Sequence, residues 1–351
     1  YAPGTIMTSS EKIKTNKMKA FIAKNYGKKE KLHLTEIVEP AINPYDVLIQ
    51  VHSAGVNVID LLIRNGDFKL FLPLKPPFQL GRDVAGVVTK VGAKVSKFKV
   101  GDEVYSSSGN HHLGTYAQYI SIAENEVALK PKNLSMEEAA SIPLVGLTSW
   151  QALVETANIK KGQKVFIQAG SGGVGTFAIQ LAKHLGAFVA TTTSEKNRGL
   201  VKSLGADLII DYKKEDFETK LKGYDLVLHS NKDSKILEKS LRVLKSGGQL
   251  ISLVGPPTPE FANALGLSWP LKLLINLISF SARKKAKKLN ISFKFLFMRA
   301  EGKQLEQITR LIEADVIVPV IDQVFPFEQT NEALSYVETG RSKGKVVIKV
   351  K

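Results

Sequence analysis

One stretch near the middle of this chain restricts its fold more than any other. The largely apolar residues 165–168 run into Ala169-Gly170-Ser171-Gly172-Gly173-Val174-Gly175 and then into a periodic helix over 176–185. Strand, glycine turn and helix in that order make a phosphate loop: glycine permits the tight turn (Gly170), lets the backbone approach a pyrophosphate (Gly172) and packs helix closely on strand (Gly175). Free amides at the helix start then face the phosphate. A glycine triplet alone would be only a turn; the flanking strand and helix make the signal specific for a dinucleotide.

The rest of the chain is organised around that loop. After Ser135, whose hydroxyl can cap a helix beginning near Met136, helices alternate with short apolar strands at 164–168, 188–192, 208–211, 226–229 and 249–254. Such strands belong in a parallel sheet covered on both faces. From Met18 to about Lys130, β-branched strands at 19–23, 46–53, 83–91, 103–106 and 116–122 are punctuated by turns, which predicts a compact, mostly antiparallel barrel. Beyond Gly255 the pattern is less regular until a strand at 291–297, a helix at 302–312 and a closing strand at 346–350. The expected fold is α/β, a doubly wound parallel sheet over 138–299 beside a mostly β domain built from 18–137 and 300–351, after an N-terminal extension of residues 1–17.

The second strand of the parallel sheet ends in Thr191-Thr192-Thr193-Ser194, where a carboxylate about 20 residues beyond the glycine loop would bind the ribose 2′-hydroxyl of NAD. No carboxylate occupies that tip. Thr193 and Ser194, with Lys196 and Asn197 or Arg198, can hold a 2′-phosphate through charge-assisted hydrogen bonds, so NADPH is the expected cofactor. Glu195 argues for NADH if the strand runs further, and a solvated polar turn also accommodates these residues.

Cysteine is absent, which excludes disulfides, thiolate nucleophiles and every cysteine-containing zinc site. His111 and His112 are adjacent, point apart and lack a third ligand, so no metal is expected. The net charge of +16 calls for an acidic partner: a dinucleotide phosphate, a nucleic acid or an anionic membrane. The lysines are scattered and no zinc finger, RNP sequence or basic heptad segment occurs, so no nucleic-acid partner is expected. No run approaches the ~20 apolar residues that span a bilayer, no apolar signal segment opens the chain, and the first arginine is Arg64, against an arginine-rich transit peptide. A cytoplasmic location is the expectation, with Met7 and Met18 both candidate starts. Apolar residues 267–280 precede Arg283-Lys284-Lys285-Ala286-Lys287-Lys288, a juxtaposition that fits a lid over the acceptor pocket, a packed helix near a subunit contact or a peripheral membrane surface.

Further motifs recur in order: Ala54-Gly55-Val56-Asn57-Val58-Ile59-Asp60, Gly81-Arg82-Asp83-Val84-Ala85-Gly86, Gly114-Thr115-Tyr116-Ala117-Gln118-Tyr119, Gly146-Leu147-Thr148-Ser149-Trp150, Leu204-Gly205-Ala206-Asp207 and Gly344-Lys345-Val346-Val347-Ile348. With them, the chain from Met18 to Lys351 resembles the zinc-independent medium-chain dehydrogenases/reductases of the zeta-crystallin-like quinone oxidoreductase branch. Its C-terminal half, at 319–321 and Phe325-Pro326-Phe327, is also similar to the reticulon-interacting mitochondrial protein and plant envelope quinone reductase relatives. The resemblance implies a Rossmann sheet, a GroES-like barrel and a homodimer, for which strand 249–254 can extend a sheet across a two-fold axis. Zinc-dependent members place a cysteine and a histidine-glutamate pair on the metal; Asn57 and Arg82-Asp83 stand near those positions here, and the four-cysteine lobe is missing between Val104 and Gly114.

Without a Lewis acid an alkoxide is hard to stabilise, whereas a quinone or enone accepts hydride into a delocalised anion. The expectation is therefore NADPH-dependent reduction of quinones or α,β-unsaturated carbonyls. By resemblance Asn57 sits at the nicotinamide and acceptor pocket and Thr148 near the nicotinamide carboxamide. The resemblance also puts Tyr212 against the adenosine phosphate, with buried packing as its competing role, and Leu253, Val254 and Lys345 along the cofactor cleft, with Gly170, Ser171, Gly172, Gly173, Val174 and Gly175 on the pyrophosphate. Asp60, Tyr116 and solvent are the candidate proton sources. A non-catalytic NADPH-binding sensor or interaction protein is the alternative; an open pocket beside Asn57 favours the enzyme.

Overall fold

The computed structural model describes residues 16–109 and 112–351; the first 15 residues, with Met7, and His111 lie outside the described residues. Six parallel strands carry the glycine loop: Lys164–Ile167, Phe188–Thr193, Leu208–Asp211, Tyr224–His229, Leu244–Ser252 and Ser292–Phe295. Their spatial order is third, second, first, fourth, fifth, sixth. The order reverses between the first and fourth strands, and sheets of this kind take ligands at the strand ends beside that switch point. Both faces are covered because alternate side chains point opposite ways: Val165 and Ile167 pack with Phe177 and Leu181, while Phe166 and Val227 pack with Phe217 and Leu241.

The fifth strand corrects one expectation. It starts at Leu244, earlier than the sequence suggests, stops before Leu253 and Val254, and is paired on both sides. It therefore has no free edge with which to extend a sheet across a two-fold axis; the edge strands of this sheet are Leu208–Asp211 and Ser292–Phe295.

The β domain is a sheet in the order Ile321–Pro326, Lys345–Lys349, Asp46–Val56, Asp83–Val91, Glu103–Ser107, Val127–Leu129, with Tyr119–Ala123 also on Asp46–Val56. Asp46–Val56 thus pairs with three strands, all antiparallel. A smaller sheet joins His33–Val38, Lys17–Ala23 and Phe78–Gln79. His33–Val38 escapes sequence reading because none of its residues is buried. The strand expected from Tyr116 begins at Tyr119, since Ala117 makes only an isolated bridge to Ala20.

Helix starts follow the sequence where a cap is written. Ser135 Oγ accepts from Glu138 N at 3.1 Å and Ser135 N donates to Glu138 Oε2 at 2.8 Å, a reciprocal capping box. The stretch read as irregular beyond Gly255 contains a 20-residue helix, Trp269–Lys288.

The glycine loop is built differently from its simplest reading. The left-handed residue of the turn is Ala169, at φ 53°, and none of the loop glycines has a positive φ. Gly170 and Gly175 are required by space instead: a Cβ on Gly170 would lie 2.1 Å from Thr191 Oγ1, and one on Gly175 would lie 2.3 Å from the Ala169 carbonyl. Gly172 meets nothing closer than 3.4 Å and faces open space at the start of helix Gly173–His184. Gly175→Ala should therefore lower the unfolding free energy by about 2 kcal/mol or more, whereas Gly172→Ala should leave it unchanged; urea unfolding of the two variants checks the contrast.

Candidate active site

A cleft of about 510 Å³ opens at the switch point, between the parallel sheet and the β domain, within the size range of small-molecule sites. At one end lies the glycine loop. Gly172 precedes helix Gly173–His184 without any side-chain cap, so the first amides of that helix are free to hold an anion. Gly344 N donates to the Ser171 carbonyl at 2.8 Å, and Gly172 bridges Gly344, which ties the loop to the strand Lys345–Lys349.

The middle of the cleft is backed by a buried polar cluster. Lys345 Nζ donates to the Val56 carbonyl at 3.0 Å, to Asp83 Oδ2 at 3.3 Å and to Asn57 Oδ1. Asn57 Nδ2 donates to Asp83 Oδ2 at 2.9 Å, and Leu144 N donates to Asp83 Oδ1 at 2.9 Å. Behind Asn57, the Asp60 carboxyl accepts from Asn57 N at 2.9 Å and from Tyr116 OH at 2.7 Å, while its other oxygen has no partner. Burial raises the Asp60 pKa to about 6 and pushes that of Tyr116 well up. Burial also lowers the Arg82 pKa, against the opposing pull of Asp60 and Asp83.

The far end is walled by aromatic rings from separated segments. Phe68 and Phe71 follow helix Val58–Asn65, Phe261 lies in helix Pro259–Ala264, and Phe295 and Phe297 come from the sixth strand and just after it. Phe261 meets Phe71, Phe295 and Phe297 at centroid distances of 5.7, 5.0 and 5.8 Å, and Phe68 meets Phe297 at 5.6 Å. The Arg82 guanidinium lies over the Phe297 ring.

Nine of the residues singled out from sequence line this one cleft: Asn57, Thr148, Gly172, Gly173, Val174, Gly175, Leu253, Val254 and Lys345. Thr148 donates its hydroxyl to the Leu144 carbonyl at 2.7 Å, leaving its oxygen as an acceptor. Asn57 is more committed than expected, since its carbonyl is taken by Lys345 and one amide hydrogen by Asp83. Gly170 supports the loop from behind. Ser171 accepts from Thr193 Oγ1 at 3.0 Å and from Asn197 Nδ2 at 3.1 Å, so the second strand's tip is linked to the loop. That strand ends at Thr193 and is followed by Ser194; Lys196 is exposed, while Glu195 is held by Arg198 through two contacts of 3.1 Å. Tyr212 is exposed rather than packed, and its backbone N donates to the Thr193 carbonyl. Asp60 and Tyr116 are fully buried and do not line the cleft.

The aromatic wall was missed, although the alternation Phe293, Phe295, Phe297 is a signal that a sequence reading can weigh. His112 Nδ1 lies 2.9 Å from the Ser121 carbonyl. Among the described residues no group of three His, Asp or Glu side chains is placed to hold a metal ion.

Known proteins align with this architecture along nearly the whole chain. The alcohol dehydrogenase GroES-like domain family matches residues 43–132 and the zinc-binding dehydrogenase family matches residues 204–348. The human mitochondrial NAD(P)H oxidoreductase RTN4IP1 is 35% identical over 99% of this chain and 93% of its own length. The chain belongs to the medium-chain dehydrogenase/reductase superfamily, in its quinone oxidoreductase-like branch. Within that superfamily, the chloroplastic NADPH-dependent alkenal/one oxidoreductase of Arabidopsis thaliana is 36% identical over 94% of this chain and 79% of its own. The quinone oxidoreductase structure from Coxiella burnetii superposes with a TM-score of 0.84 at 31% identity, covering 96% of this chain and all of that one. One matching family is called zinc-binding, yet in this chain Asn57 and Asp83 surround a lysine ammonium, and Arg82 lies over the Phe297 ring.

Asp60 gives the site a testable pH dependence. Its proton is held more tightly in the folded chain, at a pKa of about 6 against 3.8, so its contribution to stability is full below pH 4 and is lost as pH rises to about 6. Relative to Asp60→Asn, the unaltered chain should lose about 2 kcal/mol of unfolding free energy between pH 4 and pH 7; denaturant titrations of both proteins across that range measure it.

Proposed function

We propose that this chain reduces quinones and α,β-unsaturated carbonyls with NADPH, and does so without zinc. The observation that carries the reading is one open cleft with uncapped helix amides at one end, an aromatic wall at the other, and a saturated lysine-carboxylate cluster between. When bound, NADPH supplies the hydride. The amides of Gly173 and Val174 hold the pyrophosphate, and Gly172 keeps the approach clear. Thr148 offers its oxygen to the carboxamide side of the cofactor and so orients the ring. Ser194 and Lys196 stand at the ribose 2′ position, where Glu195 is already engaged by Arg198 and Asp211 of the neighbouring strand accepts from the backbone of Lys213.

The aromatic rings accept a planar apolar acceptor and exclude water from it, which strengthens the electrostatic influence of Arg82 and Lys345 on the developing anion. The names of relatives support the same chemistry: an NAD(P)H oxidoreductase, an NADPH-dependent alkenal/one oxidoreductase and a 2-methylene-furan-3-one reductase of tomato. Asp60 and Tyr116 are walled off behind Asn57, so solvent is the fitting proton source. A sensor without turnover would need no room beside Asn57, and the cleft provides that room.

The purified chain should consume NADPH rapidly with quinones or enones and slowly with simple aldehydes, followed by cofactor absorbance; cofactor binding without turnover on any acceptor would favour the sensor. Lys196→Ala should lower kcat/KM for NADPH about tenfold, the loss of one charge-assisted hydrogen bond, and leave NADH unaffected. Equal losses with both cofactors would remove Lys196 from the 2′-phosphate site.

A further inference from the structure

The helix Trp269–Lys288 buries one narrow stripe, Ile275, Ser279, Ala282 and Ala286, spaced three or four residues apart. Its other face is apolar and open to solvent: Trp269 is 77% exposed and Leu277 65%, with Leu273, Leu274, Ile278 and Phe280 also exposed. Scattered exposed leucines are ordinary; six large apolar side chains within twelve residues of one helix mark a contact surface. The same side of the helix continues into its last turns as Lys284, Lys287 and Lys288, all exposed, while Lys285 is paired with Glu238.

Charge decides what covers this face. Between Glu260 and Glu301 the sequence has eight lysines and arginines and no acidic residue. A second copy of the helix would bring no carboxylate to meet those lysines, and a self-contact would bury ammonium groups unpaired. An anionic bilayer surface matches both parts of the face, with phosphates for the lysines and an acyl boundary for Trp269 and the leucines. No helix among the described residues is long and apolar enough to cross a membrane, so the contact would be peripheral.

We propose that the exposed face of Trp269–Lys288 docks on an anionic lipid bilayer, its N-terminal half in the acyl boundary and its lysines at the phosphates. The helix just before it, Pro259–Ala264, contributes Phe261 to the aromatic end of the cleft. Docking therefore brings that end close to the membrane, where an acceptor dissolved in lipid can enter. This last step rests on the reductase reading; the docking itself does not.

The test is flotation of the full chain with vesicles of phosphatidylcholine alone or mixed equally with phosphatidylglycerol. The chain should float with the mixed vesicles only, less as salt is raised, and Lys284→Gln, Lys287→Gln and Lys288→Gln should each weaken binding about fivefold. The double variant Leu273→Glu with Leu277→Glu should abolish flotation while keeping the unfolding midpoint and NADPH binding of the parent. Absence of flotation on mixed vesicles at low salt, or flotation undiminished in the double variant, overturns the proposal. A dimer in solution that the double variant dissociates, with no lipid binding, assigns the face to a second copy and overturns it as well.

Discussion

The contact between Lys345 and Asp83 holds the cleft in its shape. A buried ammonium is tolerated only when a counter-charge and acceptors saturate it, and here Asp83, the Val56 carbonyl and Asn57 do so together. Asp83 is saturated in turn by Asn57 and by the backbone of Leu144, near the start of helix Pro143–Trp150. One residue before Lys345, Gly344 bonds the glycine loop through Ser171. The glycine-loop end, the helix that carries Thr148 and the central strand of the β domain therefore meet at one ion pair. Removing either partner leaves the other charge buried and alone, so the two ends of the cleft cannot drift independently.

How much of this is legible from the chain depends on the distance over which each feature is encoded. The glycine loop is written in eleven consecutive residues, and its strand and helix appear where expected, although the turn is made by Ala169 and the glycines serve close packing. The apolar strands of the parallel sheet are equally local. Strand order is not: nothing within 249–254 says that Ser292–Phe295 will cover its edge. The cluster of Asn57, Asp83 and Lys345 joins positions separated by up to 288 residues, and only motif resemblance drew attention to them singly. The packing of Trp269–Lys288 was hard to read for a physical reason, since most of its large apolar residues point outward and its buried positions, Ile275 apart, are small, the inverse of the pattern that burial writes.

The cleft separates its tasks by polarity. The glycine-loop end offers backbone amides and hydroxyls, groups that suit phosphates and ribose. The opposite end offers phenylalanine rings from both halves of the molecule, so that aromatic chamber exists only when the halves are together. That arrangement explains why fold and cleft are inseparable in this chain: the residues that line the cleft are borrowed from elements whose first role is packing.

The saturated state of Lys345 also bears on the proposed chemistry. All three of its donors are committed to protein oxygens, so it has no hydrogen bond left to give a substrate oxygen, and it can act on bound acceptor only through its field. A field across a few ångströms helps a delocalised anion more evenly than it helps a localised alkoxide, which needs direct coordination or a close donor. Arg82, stacked over Phe297, adds charge to the same wall without presenting a metal-like coordination site. On the proposed reading, the replacement of metal ligands by Asn57 and Asp83 around a tethered ammonium, with Arg82 on the aromatic wall, is what turns this fold from alcohols toward quinones and enones.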